Sequence, residues 1–487
     1  MQRPLLTVSL ILLCATIGYG QSIKAKQPNF LFCIADDWGW PHAGVYGDSV
    51  VKTPTFDKLA KEGVLFKNAF VSSPSCTPSR SAILTGQHFW RLEESANLWS
   101  TLDSTIPVYP LLLEKAGYHV GSWRKSWGPG DLQAGGYKTT LPAGKKYKGF
   151  EGFLRSKPAN APFCFWLGAS DPHRGYEKGS GKASGIDLAE IKLPGFYPDA
   201  LEIRSDIADY YYEVQRFDAD VAAAIQLLDN MGELDNTIII VTGDHGMPFP
   251  RCKGNLYDMG VRVPLVIKMG RGLEQKTGHV PNFVSLTDLA PTFLDFAGVA
   301  IPEQMTGTSL VPFLKPGPGP SGQKRNYVVF GRERHTPAQP APSMDGYPSR
   351  GIRTDEYLYI RNFYPDHWPA GAPNSATHPI SSFADCDNGP TKAYLVDNKS
   401  TAGLEPYFKW SFGKRPSEEL YHIKDDPYQL KNLAYDPSFE SIKKIVSKQL
   451  LTYLKEMEDP RVVDTETYFD QYPYRAPYKL NLRDSLD

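Results

Sequence analysis

Three apolar runs in this chain lack the every-other-residue alternation of a half-exposed strand, and each ends in a cluster of polar, chemically capable residues. Phe30-Leu31-Phe32-Cys33-Ile34-Ala35 leads into Asp36-Asp37, Phe163-Cys164-Phe165-Trp166-Leu167 into Asp171-Pro172-His173-Arg174, and Ile238-Ile239-Ile240-Val241 into Asp244-His245. Runs of this kind suit strands covered on both faces. Helical patterns lie between them. Pro54 to Glu62 places Phe56, Leu59 and Ala60 on one face before Gly63, and Val214, Phe217, Val221, Ile225 and Leu228 recur at three- and four-residue steps before Gly232. Alternating strands and helices predict an α/β fold with a largely parallel central sheet. Ligands in such sheets sit beyond the carboxyl ends of the strands, where the polar clusters fall.

The 487 residues exceed what one core usually serves, so a large domain with a smaller one is expected. Leu5 to Ile17 is an apolar run behind Arg3, with Gly18-Tyr19-Gly20 as small residues at a cleavage site. It reads as a signal peptide over residues 1–20, too short for a membrane anchor. The expected location is secreted or periplasmic, or lysosomal in a eukaryote. Lys315-Pro316-Gly317-Pro318-Gly319-Pro320 opens a linker over 315–325, because Pro and Gly are costly inside helices and strands. The catalytic unit is therefore placed at 21–314 and a smaller C-terminal unit, completing the substrate pocket, at 326–487. With 53 Lys+Arg against 54 Asp+Glu, bulk charge excludes a generic nucleic-acid binder. Five cysteines remain after the signal: Cys33, Cys76, Cys164, Cys252 and Cys386. Cys33 and Cys164 fall in core strands as small hydrophobes, and Cys252 is a candidate to pair with Cys386.

Cys76 is singled out by its surroundings, Ser75-Cys76-Thr77-Pro78-Ser79-Arg80 followed by Leu84-Thr85-Gly86. Pro78 suits the first turn of a helix, which puts Cys76 at a helix N-terminus where free N–H groups favour an anion. By itself that describes a low-pKa thiol or a buried structural one. The full segment resembles the signature of the type I sulfatases, in which this cysteine is oxidised to formylglycine. In that family's order, Asp36-Asp37 resembles the first metal-binding pair, Lys125 the lysine after the next helix, His173 the histidine of the mid-chain motif, Asp244-His245 the second metal pair and Lys253 the last lysine. Glu419-Leu420-Tyr421 and Asn432-Leu433-Ala434 resemble its C-terminal domain. Asp171-Pro172-His173-Arg174, Met247-Pro248-Phe249-Pro250 and Tyr347-Pro348-Ser349-Arg350 are most similar to the heparan N-sulfatase branch.

The resemblance implies the α/β sandwich of the alkaline-phosphatase superfamily with a smaller C-terminal α+β domain carrying an antiparallel sheet. It further implies a divalent cation held by Asp36, Asp37, Asp244, His245 and the modified Cys76. An oxygen-rich set of this kind suits Ca2+ or Mg2+. Lys125 and Lys253 would stabilise the sulfate oxygens, Arg80 would hold the hydrated aldehyde, and His173 would protonate the leaving group. The implied partners are a sulfated carbohydrate and a formylglycine-generating or anaerobic sulfatase-maturing enzyme. Trp127 stands where many members carry a histidine after the lysine, and Trp cannot accept a proton. This leaves open the base for sulfate release.

Arg174, Glu333, Arg334, His335 and Arg350 combine charge with a loop context and are the candidate substrate contacts. A phosphonate or phosphate ester hydrolase of the same superfamily, and a non-catalytic glycan-binding protein with Cys76 unconverted, are the alternatives that the sequence leaves open.

Overall fold

A computed structural model describes residues 27–317, 325–340, 342–373, 382–464 and 468–477. The expected signal peptide and residues 318–324 of the expected linker lie outside the described residues. Nine strands form the main sheet: β1 (Asn29–Ala35), β2 (Val64–Phe70), β3 (His119–Arg124), β4 (Lys145–Lys146), β5 (Phe163–Gly168), β6 (Thr237–Gly243), β7 (Arg262–Val263), β8 (Leu265–Lys268) and β9 (Gly278–Ser285). Their order is β4-β3-β5-β1-β6-β8-β2-β7, with β9 also beside β2. The ladders β3–β4, β3–β5, β1–β5, β1–β6 and β2–β9 are parallel, and those of β8 with β6 and β2, and of β7 with β2, are antiparallel. The expected α/β class with a largely parallel sheet is what the chain adopts.

Every residue of β1, β5 and β6 is buried. Successive side chains of β1 alternate between two cores. Phe30, Phe32 and Ile34 pack with Phe293 and Leu294 of a helix at Leu289–Ala297, whereas Leu31, Cys33 and Ala35 pack with Ile203, Ile207, Val214 and Phe217. The latter four belong to a 30-residue helix, Leu201–Asn230. Burying each large apolar side chain contributes about 1.5–3 kcal/mol, so the two-faced burial of three adjacent strands fixes their register.

That register assembles the site. Ile34 lies beside Gly168 of β5 and Ala35 beside Gly243 of β6, while Arg124 of β3 also lies beside Gly168. The residues that follow, Asp36, Lys125, the 169–174 loop and Asp244, therefore emerge side by side at one sheet edge. Gly168 permits this, since a Cβ there would sit 1.7 Å from the Lys125 carbonyl oxygen.

A second sheet holds β10 (Tyr327–Arg332), β11 (Ser349–Thr354), β12 (Tyr357–Asn362) and β13 (Glu418–His422), all antiparallel in that order. One face, with Val329, Ile352, Tyr359 and Leu420, is covered by Val446, Leu450 and Leu454 of a helix at Glu440–Glu456. The other face, with Val328, Phe330, Leu358 and Ile360, joins the core of the main sheet. The smaller unit thus shares a hydrophobic core with the larger one.

The cysteine expectations divide. Cys33 and Cys164 are buried strand residues, as read from the sequence. Cys252 and Cys386 are not paired: both are free, buried thiols, and burial pushes each up to about 12.

Candidate active site

Cys76 is the first residue of a helix at Cys76–Thr85, which we call α1; its N-cap is Ser75, and its C-cap Gly86 takes the left-handed conformation at φ 66°. The whole helix is buried, and its N-terminus packs directly against the strand ends. Ser79 Oγ donates to the Asp244 carbonyl and the Arg80 Nη1 to the Lys125 carbonyl at 2.7 Å, which locks α1 against both strand ends.

The Cys76 sulfur lies 3.2 Å from His245 Nε2 and 3.8 Å from Asp36 Oδ1. Asp37, Cys76 and His245 bring ligand atoms within 4.8 Å of one another, as do Asp36, Cys76 and Asp244. The whole expected cation set, drawn from three chain segments, therefore converges. Asp37 Oδ1 is buried with no hydrogen-bond partner, 3.2 Å from His245 Nε2. A buried carboxylate oxygen in that condition fits a bound cation, because an unsatisfied anion is costly in the interior. Asp37 also takes a left-handed backbone at φ 76°, and so do Arg124 at φ 59° and Arg251 at φ 68°, each close in sequence to a site residue. Non-glycine residues in that region cost about 1–3 kcal/mol and cluster where function holds them.

Cations surround these carboxylates. Arg80 donates through Nε to Asp244 at 2.8 Å and through Nη2 to Asp36 at 3.1 Å, joining the ends of β1 and β6. Lys125 Nζ contacts both Asp36 oxygens, at 2.6 and 2.7 Å, and Lys253 Nζ contacts Asp37 Oδ2 at 2.9 Å. Burial alone would raise Asp36, but Lys125 and Arg80 outweigh it and hold the carboxyl well below its usual range. The same balance, set by Asp37 and Asp387, keeps the buried Lys253 protonated.

His173 sits on the open side, with Nε2 at 4.0 Å from Asp37 Oδ2. Its Nδ1 donates to the Arg174 carbonyl at 2.5 Å, which fixes the tautomer and turns Nε2 inward. A cleft of about 450 Å3, lined by Asp36, His173, Glu177, Tyr212, Glu213 and Arg216 among others, opens above it. Trp127 is spent elsewhere: its indole N–H donates to Ser81 Oγ at 2.7 Å, bracing α1.

The candidate substrate contacts need correction. Arg350 and Glu333 are buried and paired with each other, Arg350 also with Asp459 and Glu333 also with Arg461. Arg334 is buried and donates to the carbonyls of Met344, Tyr472 and Pro473. These three hold the C-terminal unit together and offer nothing to a ligand. Arg174 lines the cleft beside His173, while its guanidinium grips Asp206 with two hydrogen bonds of 2.8 Å and donates to the Pro248 carbonyl. His335 does reach the site's edge: its Nδ1 pairs with Ser75 Oγ at 2.8 Å, and burial, with Lys253 and Arg332, brings it down to about 3 despite Asp385, leaving it neutral.

Sequence reasoning missed Asp387, whose carboxylate lies 3.1 Å from Lys253 Nζ and groups with Asp37 and His173 within 4.8 Å. The only signal was an acid shortly before the Gly389-Pro390 helix start, a common arrangement.

The sulfatase family model matches residues 28–299, more than half of the chain. The chain belongs to the sulfatase family. A second model, described as the C-terminal region of N-sulphoglucosamine sulphohydrolase, matches residues 243–369. The chain is 29% identical to N-sulphoglucosamine sulphohydrolase of Homo sapiens, over 92% of its own length and 94% of the relative's. It is also 29% identical to an ulvan-active sulfatase of Formosa agariphila, over 90% and 82%. A solved structure described as a complex with its substrate D-glucosamine-2-N,6-O-disulfate aligns with a TM-score of 0.63 at 20% identity, covering 89% of this chain and 99% of that one. Among the described residues no helix is long and apolar enough to cross a membrane.

Proposed function

We propose that this sulfatase removes sulfate from a sulfated carbohydrate, with Cys76 converted to formylglycine as its nucleophile. One observation carries the reading: Cys76 opens α1 with its sulfur among Asp36, Asp37, Asp244 and His245, ringed by Arg80, Lys125, His173 and Lys253. A hard divalent cation, calcium or magnesium, would be held by Asp36, Asp37, Asp244 and His245 and would supply Lewis-acid polarisation of a sulfate oxygen.

The chain's own groups account for the rest. Lys125 and Lys253 present ammonium groups toward the sulfate, where negative charge grows as sulfur is attacked. Arg80 ties Asp36 to Asp244 and keeps the nucleophile's helix at its distance. His173 Nε2 donates the proton that the departing sugar atom needs. The burial of the nucleophile excludes water, which strengthens each of these interactions. The similarity to N-sulphoglucosamine sulphohydrolase and to an ulvan-active sulfatase supports a sulfated glycan as the substrate. The enzyme would be matured by a formylglycine-generating or anaerobic sulfatase-maturing enzyme and exported to a periplasm, a lysosome or the medium.

Mass spectrometry of the tryptic peptide Asn68 to Arg80 from the native host tests the nucleophile, with the aldehyde expected; an intact cysteine sinks it and leaves a glycan-binding role. Turnover of aryl sulfate against aryl phosphonate tests the reaction, and higher efficiency on the phosphonate would overturn it.

A further inference from the structure

Gly254 and Asn255, which follow Lys253 in the chain, meet the end of the second sheet around a cavity of about 20 Å3, whose wall also includes Arg332, Tyr347, Arg415 and Glu419. A single water needs roughly 10–15 Å3, so the space takes one particle of about that size. Asn255 Nδ2 donates to the Lys253 carbonyl at 3.1 Å, and Arg332 Nη1 donates to the Gly254 carbonyl. Two residues of the wall thus hold the loop that carries Lys253.

Three polar atoms of this wall are buried with no hydrogen-bond partner among the described residues: Arg332 Nε, Arg415 Nε and the Tyr347 hydroxyl. Arg332 and Tyr347 are each only 3% exposed. Glu419 does not serve them, because its carboxylate already accepts from the Tyr257 and Tyr421 hydroxyls at 2.7 and 2.6 Å and from Asn362 at 2.8 Å. Arg415 is held by the Trp410 carbonyl and by the Tyr257 ring, 5.5 Å from its guanidinium carbon, and forms no ion pair among the described residues.

An occupant of this space has to accept. A guanidinium N–H can only donate, and a buried donor left unpaired is costly. A water would accept from some of the three and would still have two hydrogens of its own to place. A single-atom anion accepts from all three and has none to place. The charges of the wall agree, since it holds two cations, Arg332 and Arg415, and one anion, Glu419. A sulfate or a carboxylate exceeds the volume. We propose that the cavity is a halide site, taking chloride, with Arg332 Nε, Arg415 Nε and the Tyr347 hydroxyl as its donors. Halide bound there lies between the second sheet and the Lys253 loop and ties the C-terminal unit to the catalytic one.

Wild-type crystals soaked in sodium bromide and measured at the bromine absorption edge should show an anomalous peak in this cavity. In solution, the thermal midpoint of the wild-type protein is compared in sodium chloride and in sodium gluconate at equal ionic strength, gluconate being too large to enter. The midpoint should be higher in chloride by about 1–3 °C and should reach a plateau with concentration, because a ligand bound only by the folded chain stabilises it by mass action. General salt effects do not saturate. Tyr347→Phe removes one donor while keeping the ring, and should raise the chloride concentration at half-effect by about 10-fold, the loss expected for one hydrogen bond to a charged group. Water in place of bromide overturns the proposal, as do midpoints with no saturable difference between the two salts. A bromide peak without the chloride effect marks an adventitious ion only and overturns it as well, and a chloride effect unchanged in Tyr347→Phe places the halide elsewhere. None of these readouts depends on turnover, so they stand apart from the test of the sulfatase reading.

Discussion

His173 has one nitrogen committed to the Arg174 carbonyl, so its chemistry runs through Nε2 alone. Its worth should depend on the leaving group. His173→Ala is expected to slow leaving-group departure from a sugar sulfate by about 10²–10⁴-fold, the usual contribution of a positioned acid, and to slow it far less for 4-nitrophenyl sulfate, whose phenol leaves without a proton. Single-turnover rates of leaving-group release on the two substrates check this, and equal losses in that step would remove His173 from the proton-donor role. Since Trp127 braces Ser81 and cannot act as a base, His173 is also the candidate to accept the proton when sulfate leaves. Pre-steady-state assays of the same variant should then show a normal burst on the aryl substrate followed by slowed sulfate release. At this scale the strand-end residues were legible, because each follows an apolar run that determines where it emerges. The charged residues of the C-terminal unit were not. Arg350 lies on β11 and its partner Asp459 is 109 residues away, so a buried ion pair and a substrate contact look alike in sequence.

At the scale of elements, Arg174, Asp206 and Thr391 tie the His173 loop to the long helix and to the helix that follows Asp387. Asp206 is almost fully buried and satisfies both partners, so Asp206→Ala strands a guanidinium in the interior. Breaking one side of a buried pair costs about 3–5 kcal/mol. We expect the urea midpoint of Asp206→Ala to fall accordingly, with kcat reduced because His173 and Asp387 lose their common anchor. A variant as stable as the wild type would show that the two loops are held otherwise. Helix faces were legible from spacing: Phe56, Leu59 and Ala60 are indeed the buried face of the helix at Pro54–Glu62. The thirty-residue helix was read only from Val214 onward, since its first half buries Asp206, Asp209, Tyr210 and Tyr211, a polar set that interrupts the apolar period. The residues that hide its start from sequence reasoning are those that reach the site's supporting loops.

Across the whole molecule, two buried histidines make stability depend on pH. His88 stacks on Trp90 at 4.2 Å, with Nε2 2.7 Å from the Tyr453 hydroxyl, where the main unit meets the helix at Glu440–Glu456. Burial, reinforced by Arg325, Arg91 and Arg350, lowers it to about 3, and His335, at the junction of Ser75 with the second sheet, is lowered to a similar value. In the folded chain both stay neutral through mild acid, whereas in the unfolded chain they take up protons near 6.5. The unfolded state then binds more protons, so stability is complete above pH 6.5 and falls as pH drops from there toward 3, by about 1.4 kcal/mol per histidine for each pH unit well below 6.5. Buried carboxylates such as Asp218 and Glu213 are raised instead and oppose this trend, so the comparison that isolates the effect is between wild type and His88→Gln. The urea midpoint should fall less steeply between pH 6.5 and 4.5 in the variant. Parallel profiles would mean that His88 ionises in the folded state and that the contact between the two units opens in acid.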